Sequence, residues 1–390
     1  MKITGVETIR YRRGIRVHAG EIDWLWVRIY TDEGLVGLGE TYPCAGPESA
    51  AVLECFAPRM LGRNPMEIDR LWGDLFLAVS YHGWAGAEMR ALSAIDLALW
   101  DLAGKALGTP VYQLLGGACR DSIPIYNTCY DHVDFLTEPV RLARELAASG
   151  IHAMKIWPFD GIALRNRGHS ISAEEMRQGL EPLQLIRQEL GDSMDVAMEF
   201  HGYWDLPCAV KIAQALEPLH PMWLEEMLPQ DNMAAYRELS QATRLPLTIS
   251  ERLMTRWGFR EVLENRAARY IMPDLSWCGG FSEARKIAAM AETSYLPIAP
   301  HNCGGPVLHF ASAHLAAWCP NLFILETVRR HYLDEYAGLV TAGALPAGLV
   351  PVQGRLPLPP GPGLGVELAE DMGARANVEM GRVGRCDPKD

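Results

Sequence analysis

No long apolar stretch occurs in this 390-residue chain, so neither a membrane-spanning helix nor a secretory leader is expected. The opening Met1-Lys-Ile-Thr-Gly-Val-Glu reads instead as a strand that starts a folded domain. C-x-x-C spacing is missing too. The nine cysteines (Cys44, Cys55, Cys119, Cys129, Cys208, Cys278, Cys303, Cys319 and Cys386) are scattered and odd in number. That excludes a disulfide framework or a cysteine zinc site and points to reduced thiols in the cytoplasm. Basic runs are absent, and 36 Lys and Arg against 48 Asp and Glu leave a formal charge of -12. Nucleic acid and acidic membrane are therefore excluded as general partners, and an anionic substrate would need locally placed cations. A dinucleotide fingerprint is also lacking: Gly34, Gly37 and Gly39 lie in a hairpin region, and Gly361, Gly363 and Gly365 do not open a helix.

What remains is a chain that is 49% hydrophobic and long enough for one large domain and a smaller one. Residues 1 to about 40 alternate apolar and polar, notably over 24–30, and the turn Asp32-Glu33-Gly34 predicts an antiparallel sheet. Helical periodicity follows Pro47 and is strongest from Ala87 to Leu107, stopping at Gly108 and Pro110. From about Ser122 short apolar runs alternate with amphipathic helices. The predicted strands are 123–128, 152–157, 195–200, 222–227, 245–251, 269–274, 296–301 and 322–327. Eight such runs are the signature of an α/β fold closed into a β/α barrel. Ser172-Ala-Glu-Glu175 predicts a capping box, with Gly191 ending that helix. Residues 158–171 read as a long loop at the barrel mouth. The pattern breaks after Thr327, and the Pro/Gly-rich stretch from Leu356 is expected to pack back on the N-terminal part.

Catalytic groups of such barrels sit at the C-terminal ends of the strands. Here those ends read Lys155, Glu199, Glu225, Glu251, Asp274, His301 and Glu326 on strands two to eight. One strand-end carboxylate is commonly a helix cap, but seven polar ends in a row are hard to explain that way. Glu199, Glu225 and Glu251 recur at intervals of 26 residues, one per strand and helix unit. Together they would suit a hard cation such as Mg2+. Glu225 and Glu226 must diverge, and the spacing favours Glu225 as the inward ligand with Glu226 as the fallback. Asp274 and His301 close adjacent strands, where a carboxylate fixes the imidazole tautomer and raises its basicity.

The stretches Ala91-Leu-Ser-Ala-Ile-Asp-Leu-Ala-Leu-Trp-Asp-Leu-Ala-Gly-Lys-Ala-Leu-Gly, Trp223-Leu-Glu-Glu, Ser250-Glu-Arg-Leu, Pro273-Asp-Leu and Pro300-His-Asn-Cys-Gly-Gly-Pro resemble the enolase superfamily, mandelate racemase subgroup. The resemblance implies a modified TIM (β/α)7β barrel under an α+β capping domain formed by both ends of the chain. Residues 1–122 would form the N-terminal capping domain, 123–328 the barrel, and 329–390 a segment packing back on the cap. It also implies Mg2+ on Glu199, Glu225 and Glu251, a base dyad of Asp274 and His301, and Glu326 beside the substrate carboxylate. The third-strand ligand is commonly Asp, so Glu199 departs by one methylene. The implied chemistry is removal of a proton α to a carboxylate through an enediolate, and the implied assembly is a homo-oligomer.

Many members of that subgroup carry Lys-x-Lys on the second strand, whereas this chain has Lys155-Ile156-Trp157. A second lysine base is missing, Lys155 is left as partner for the substrate carboxylate, and Trp157 either lines the pocket or packs in the barrel. Glu199-Phe-His201-Gly is similar to the pattern of acid-sugar dehydratases, in which the His is the acid for the departing β-hydroxyl. A Mg2+-dependent dehydratase of a sugar acid, an aldonate or aldarate, is the resulting expectation. An epimerase using His301 with His201 or Lys155, and a non-catalytic member of the fold, stay open. A metal-dependent hydrolase lacks its usual His-x-His, since strand one ends Tyr126-Asn127-Thr128. Arg252 is expected to form a supporting ion pair. Specificity is expected from capping-loop residues Arg13, Arg16, His18, His82 and Trp84 and from the loop after strand two.

Overall fold

The computed structural model describes residues 1–17, 20–81, 84–342 and 349–386. Two sheets organise it. An antiparallel sheet in the order Val378–Gly384, Ile3–Tyr11, Trp24–Thr31, Val36–Thr41 forms the cap, so one strand arrives from the far end of the chain. The helix Ala87–Leu107 lies across it and ends at Gly108 in the left-handed conformation. Gly37 and Gly39 allow that approach: a Cβ at Gly39 would stand 1.9 Å from the carbonyl oxygen of Ala94, and one at Gly37 2.2 Å from that of Ala98. The first glycine cluster is thus a packing device, consistent with its lack of a nucleotide signature.

The second sheet is parallel. Its strands are Ser122–Thr128, Ala153–Ile156, Asp195–Glu199, Leu224–Glu225, Leu247–Ile249 and Tyr270–Ile271, with Leu325–Thr327 pairing back on the first. The seventh predicted strand, 296–301, forms no regular strand. Single bridges join Ile298 to both Ile271 and Leu322, and His301 to Asp274, and these close the barrel. Tyr126, Ala153, Ala197, Trp223, Met272 and Ala299 fill its interior. The small side chains of Ala153, Ala197 and Ala299 leave room for the edge-to-face pair Tyr126 and Trp223, whose ring centroids are 5.3 Å apart. This is a modified (β/α)7β barrel with an α+β cap. Within the tail, Arg355–Pro357 pairs antiparallel with the first barrel strand, while the Pro/Gly stretch that follows packs on the N-terminal part as expected: Gly363 exchanges backbone hydrogen bonds with Thr109 and Val111, and the Leu364 N–H donates to Asp101 Oδ1 at 2.7 Å.

The Ser172 capping box is present, with the Ser172 side chain accepting from the Glu175 N–H and helix Ala173–Leu190 ending at Gly191. The expected loop 158–171 differs: it carries a helix, Asp160–Asn166. All nine cysteines are unpaired. No helix among the described residues is long and apolar enough to cross a membrane.

Cap and barrel meet at Glu40. Its buried carboxylate accepts from Trp26 Nε1 at 2.8 Å, from the Val307 N–H at 2.9 Å and from the Gly305 N–H, where helix Pro306–Trp318 begins. Burial pushes Glu40 up to about 7 against the pull of those donors. The folded protein therefore holds a proton there that the unfolded chain releases near pH 4.5. The stability contributed is fully present below about pH 4.5 and is lost as pH rises through 7, a change of about 3 kcal/mol. Glu40→Gln should flatten that part of a stability profile, read by thermal unfolding from pH 5 to 8.5. An unchanged slope would refute this account.

Candidate active site

Glu199, Glu225 and Glu251 present carboxylate oxygens within 4.8 Å of one another, and all three residues are buried. Neighbouring groups place the first two. Glu199 Oε1 accepts the N–H groups of Phe200 at 3.0 Å and His201 at 2.7 Å. Glu225 Oε2 accepts from Trp223 Nε1 at 2.8 Å, so the barrel floor orients it. Glu226 diverges: it accepts from Ser250 Oγ and pairs with Arg252 Nε at 3.3 Å. Arg252 is accordingly the support of a neighbouring carboxylate, as expected. An all-oxygen, net negative donor set of this kind fits Mg2+.

Lys155 Nζ lies 2.6 Å from Glu225, 2.8 Å from Glu326 and 3.4 Å from Glu199. It is 3% exposed, so these charges interact with little water between them. Burial disfavours its charge, but Glu225 and Glu326 raise its proton affinity well above that of an ordinary lysine. For Glu225, burial and the charge of Glu199 raise the carboxyl well above its usual value. Burial acts on Glu199 and Glu326 in the same sense but is outweighed. His201 and Lys155 hold Glu199 well below the carboxylate range, and Lys155 and His301 hold Glu326 at about 2.

His301 Nδ1 is 2.8 Å from Asp274 Oδ2, and Nε2 is 3.7 Å from Glu326 Oε2. Asp274 Oδ1 accepts from the N–H and hydroxyl of Ser276 at 2.7 and 2.6 Å. Glu326 also takes Thr128 Oγ1 and, at 3.1 Å, the N–H of Asn302. Burial opposes protonation of His301, yet Glu326 and Glu251 raise its proton affinity well above normal. Positive charge brought to the Glu199, Glu225 and Glu251 cluster would lower it again, toward what a base at neutral pH requires. Cys303 lies close enough to His301 and Glu326 to share a ligand with them. His301 Nδ1 is already committed to Asp274, which makes this group part of the base environment.

His201, on the third strand's exit, turns through a positive φ of 49°. Its Nδ1 lies 2.7 Å from Asp160 Oδ2. Asp160 was not singled out from the sequence, because it sits where a loop was expected. Its available signal was an acidic residue opening a short helix. Burial lowers the proton affinity of His201, and Glu199, Asp160 and Glu251 more than offset this, pushing it up to about 9. Trp157 packs against the core, its ring meeting Phe135 edge-on at 4.7 Å and standing 6.1 Å from the His201 ring. Two imidazoles, each backed by an aspartate, thus leave strands three and seven, among exits that also carry carboxylates and the Lys155 ammonium.

The capping-loop candidates fare differently. Arg13 is buried in an ion pair with Glu335, its guanidinium 4.2 Å above the Trp24 ring, so it ties the cap to the segment that follows the last barrel strand. Trp84 is 38% exposed. His18 and His82 lie outside the described residues, as does the side chain of Arg16.

Known proteins agree with this architecture. Residues 138–372 match the family described as enolase C-terminal domain-like, and residues 16–116 match the mandelate racemase / muconate lactonizing enzyme N-terminal domain. The chain is 34% identical over 363 residues to a D-xylonate dehydratase of Haloferax volcanii, covering 90% of this chain and 85% of that one. It is 33% identical over 374 residues to a D-galactonate dehydratase of Pectobacterium atrosepticum, covering 95% and 93%. A crystal structure of an enolase of the mandelate racemase subgroup from Agrobacterium tumefaciens superposes with a TM-score of 0.88 at 43% identity, covering 98% of this chain and 99% of that one. With both domain families matched in order and the strand-end residues gathered at one mouth, the chain belongs to the mandelate racemase / muconate lactonizing enzyme family of the enolase superfamily.

Proposed function

We propose that this chain, a lyase of the enolase superfamily, is a Mg2+-dependent hydro-lyase that converts a sugar acid, an aldonate or aldarate, to a 2-keto-3-deoxy acid. The observation that carries the reading is the pair of aspartate-backed histidines, His301 with Asp274 and His201 with Asp160, on opposite strands of the ring. A dehydration needs one group to take the α proton and another to give a proton to the departing β-hydroxyl. The named dehydratases among the relatives support the same choice.

Mg2+ held by Glu199, Glu225 and Glu251 would supply positive charge against the second negative charge that develops on the substrate carboxylate. The remaining work falls to the chain's own side chains. Lys155 and Glu326 orient and polarise the carboxylate. His301 takes the α proton at Nε2, because its Nδ1–H is held by Asp274. His201, pushed up to about 9, carries its proton at neutral pH and delivers it to the leaving oxygen. Base and acid approach from opposite sides, which gives anti elimination. The division into cap (1–122), barrel (123–328) and returning segment (329–390), and a homo-oligomer working in the cytoplasm, complete the reading. The nine unpaired thiols support that compartment.

Proton NMR in D2O with Mg2+, run against a panel of aldonates and aldarates, tests the proposal. Dehydration should appear as loss of the α-proton signal with formation of a 3-deoxy methylene. His201→Asn should cut dehydration by about 10²- to 10⁴-fold while α-proton exchange persists. Exchange with inversion and no loss of hydroxyl in the wild-type protein would instead establish an epimerase.

A further inference from the structure

The residues that hold the base dyad in place do not all come from the barrel. Three consecutive residues at the end of cap strand Val36–Thr41 reach across to it. Glu40 binds the start of helix Pro306–Trp318, as described above. Thr41 Oγ1 donates to the carbonyl of Ser276 at 3.0 Å. The Tyr42 hydroxyl, 232 residues away from its partner in sequence, donates to Asp274 Oδ2 at 3.0 Å and lies 3.4 Å from His301 Nδ1. Tyr42 is only 4% exposed. Its ring packs 4.9 Å from that of Trp277, whose Nε1 donates to the Tyr42 carbonyl at 2.9 Å, and Trp277 in turn lies 5.6 Å from the His301 ring.

The same contact explains Gly304-Gly305, which the proposed chemistry does not use. A Cβ at Gly305 would stand 2.7 Å from Glu40 Oε2, and one at Gly304 would meet the Tyr42 ring at 3.0 Å. Both glycines let the cap strand sit directly on the loop that follows His301.

We propose that Tyr42 is a positioning residue of the base, holding Asp274 Oδ2 so that His301 keeps its proton on Nδ1 and presents Nε2 to the substrate. The inference rests on the reading of His301 as base. Asp274 Oδ2 is shared between the Tyr42 O–H and the His301 Nδ1–H. The shared oxygen fixes the carboxylate plane while moderating how strongly Asp274 stabilises the imidazolium. The other titratable groups facing His301 are Glu326, Glu251 and Cys303. None of these is bonded to Tyr42, so the hydroxyl acts through Asp274. The cap thereby contributes to the reaction as well as covering it.

Tyr42→Phe removes the hydroxyl and keeps the ring on Trp277. His301 should then titrate about half a pH unit higher, followed by histidine-labelled NMR of the metal-free, substrate-free protein with His301→Asn for assignment. In the α-proton exchange assay kcat should fall about tenfold, with KM within about twofold and the acid limb of the pH profile displaced upward. A merely structural role would lower the unfolding temperature without moving the titration. An unmoved titration with unchanged kcat would overturn the proposal. If Tyr42→Phe does not fold, the wild-type protein decides: the buried Tyr42 hydroxyl proton should show a through-space cross-peak to the His301 Nδ1 proton, and its absence refutes the contact. If no sugar acid exchanges its α proton, the proposed activity fails, while the titration still decides the role of Tyr42.

Discussion

His301→Asn should slow α-proton exchange into D2O by about 10²- to 10⁴-fold and leave the secondary structure and Mg2+ affinity unchanged. Asparagine can still donate to Asp274 through its amide N–H, but it has no lone pair basic enough to take a proton from carbon. The carboxylates that surround the site are held in place by other donors: Glu326 by Thr128, Lys155 and Asn302, and Asp274 by Ser276 and Tyr42. The variant therefore separates chemistry from architecture. Full turnover on an identified substrate would falsify the mechanism outright.

Lys155→Met should have the largest effect on stability. Lys155 bridges Glu199, Glu225 and Glu326 with one ammonium, and all three carboxylates are at most 1% exposed. Removing one partner of a buried ionic group while its counter-charges remain costs roughly 3–5 kcal/mol, reduced to the extent that the carboxylates take up protons. The loss should be greatest in EDTA and should shrink when Mg2+ is added, because a divalent ion restores the missing positive charge. Thermal unfolding of wild type and variant, with and without Mg2+, measures both effects. Equal stability of the two proteins in EDTA would show that Lys155 does not balance the cluster. The same variant should raise KM for substrate, since the ammonium proposed to meet its carboxylate is gone.

The barrel and most of its strand-end residues were legible because strands two to eight are apolar runs that stop at a charged or titratable residue. A parallel strand buried on both faces reads as such a run, and the regular alternation with amphipathic helices separates it from a buried helix segment. The 26-residue interval chose Glu225 over Glu226, and the structure sends Glu226 to Ser250 and Arg252. What the sequence concealed was every contact made between distant segments. Asp160 lies 41 positions before His201 and in a helix without a strong periodic pattern. Tyr42 belongs to another domain, and no local rule connects it with Asp274. Arg13 read as a capping-loop specificity residue because its ion-pair partner Glu335 is remote from it in the chain. The seventh strand was half legible: its apolar run is real, but Ile298 is tied by single bridges and not by a ladder.

The strand Val378–Gly384 lies along Ile3–Tyr11, so that Arg10 and Glu379, 369 residues apart, form an ion pair. During synthesis at about 5–20 residues per second, roughly 20 to 70 s separate the emergence of these two partners. Throughout that interval the first strand is the open edge of a three-stranded meander, with its row of unpaired backbone groups available to any other chain. Such an edge is a template for aggregation until it is covered. The strand Val378–Gly384 therefore acts as a seal on Ile3–Tyr11, and a chain cut before residue 378 would carry an exposed, adhesive sheet edge.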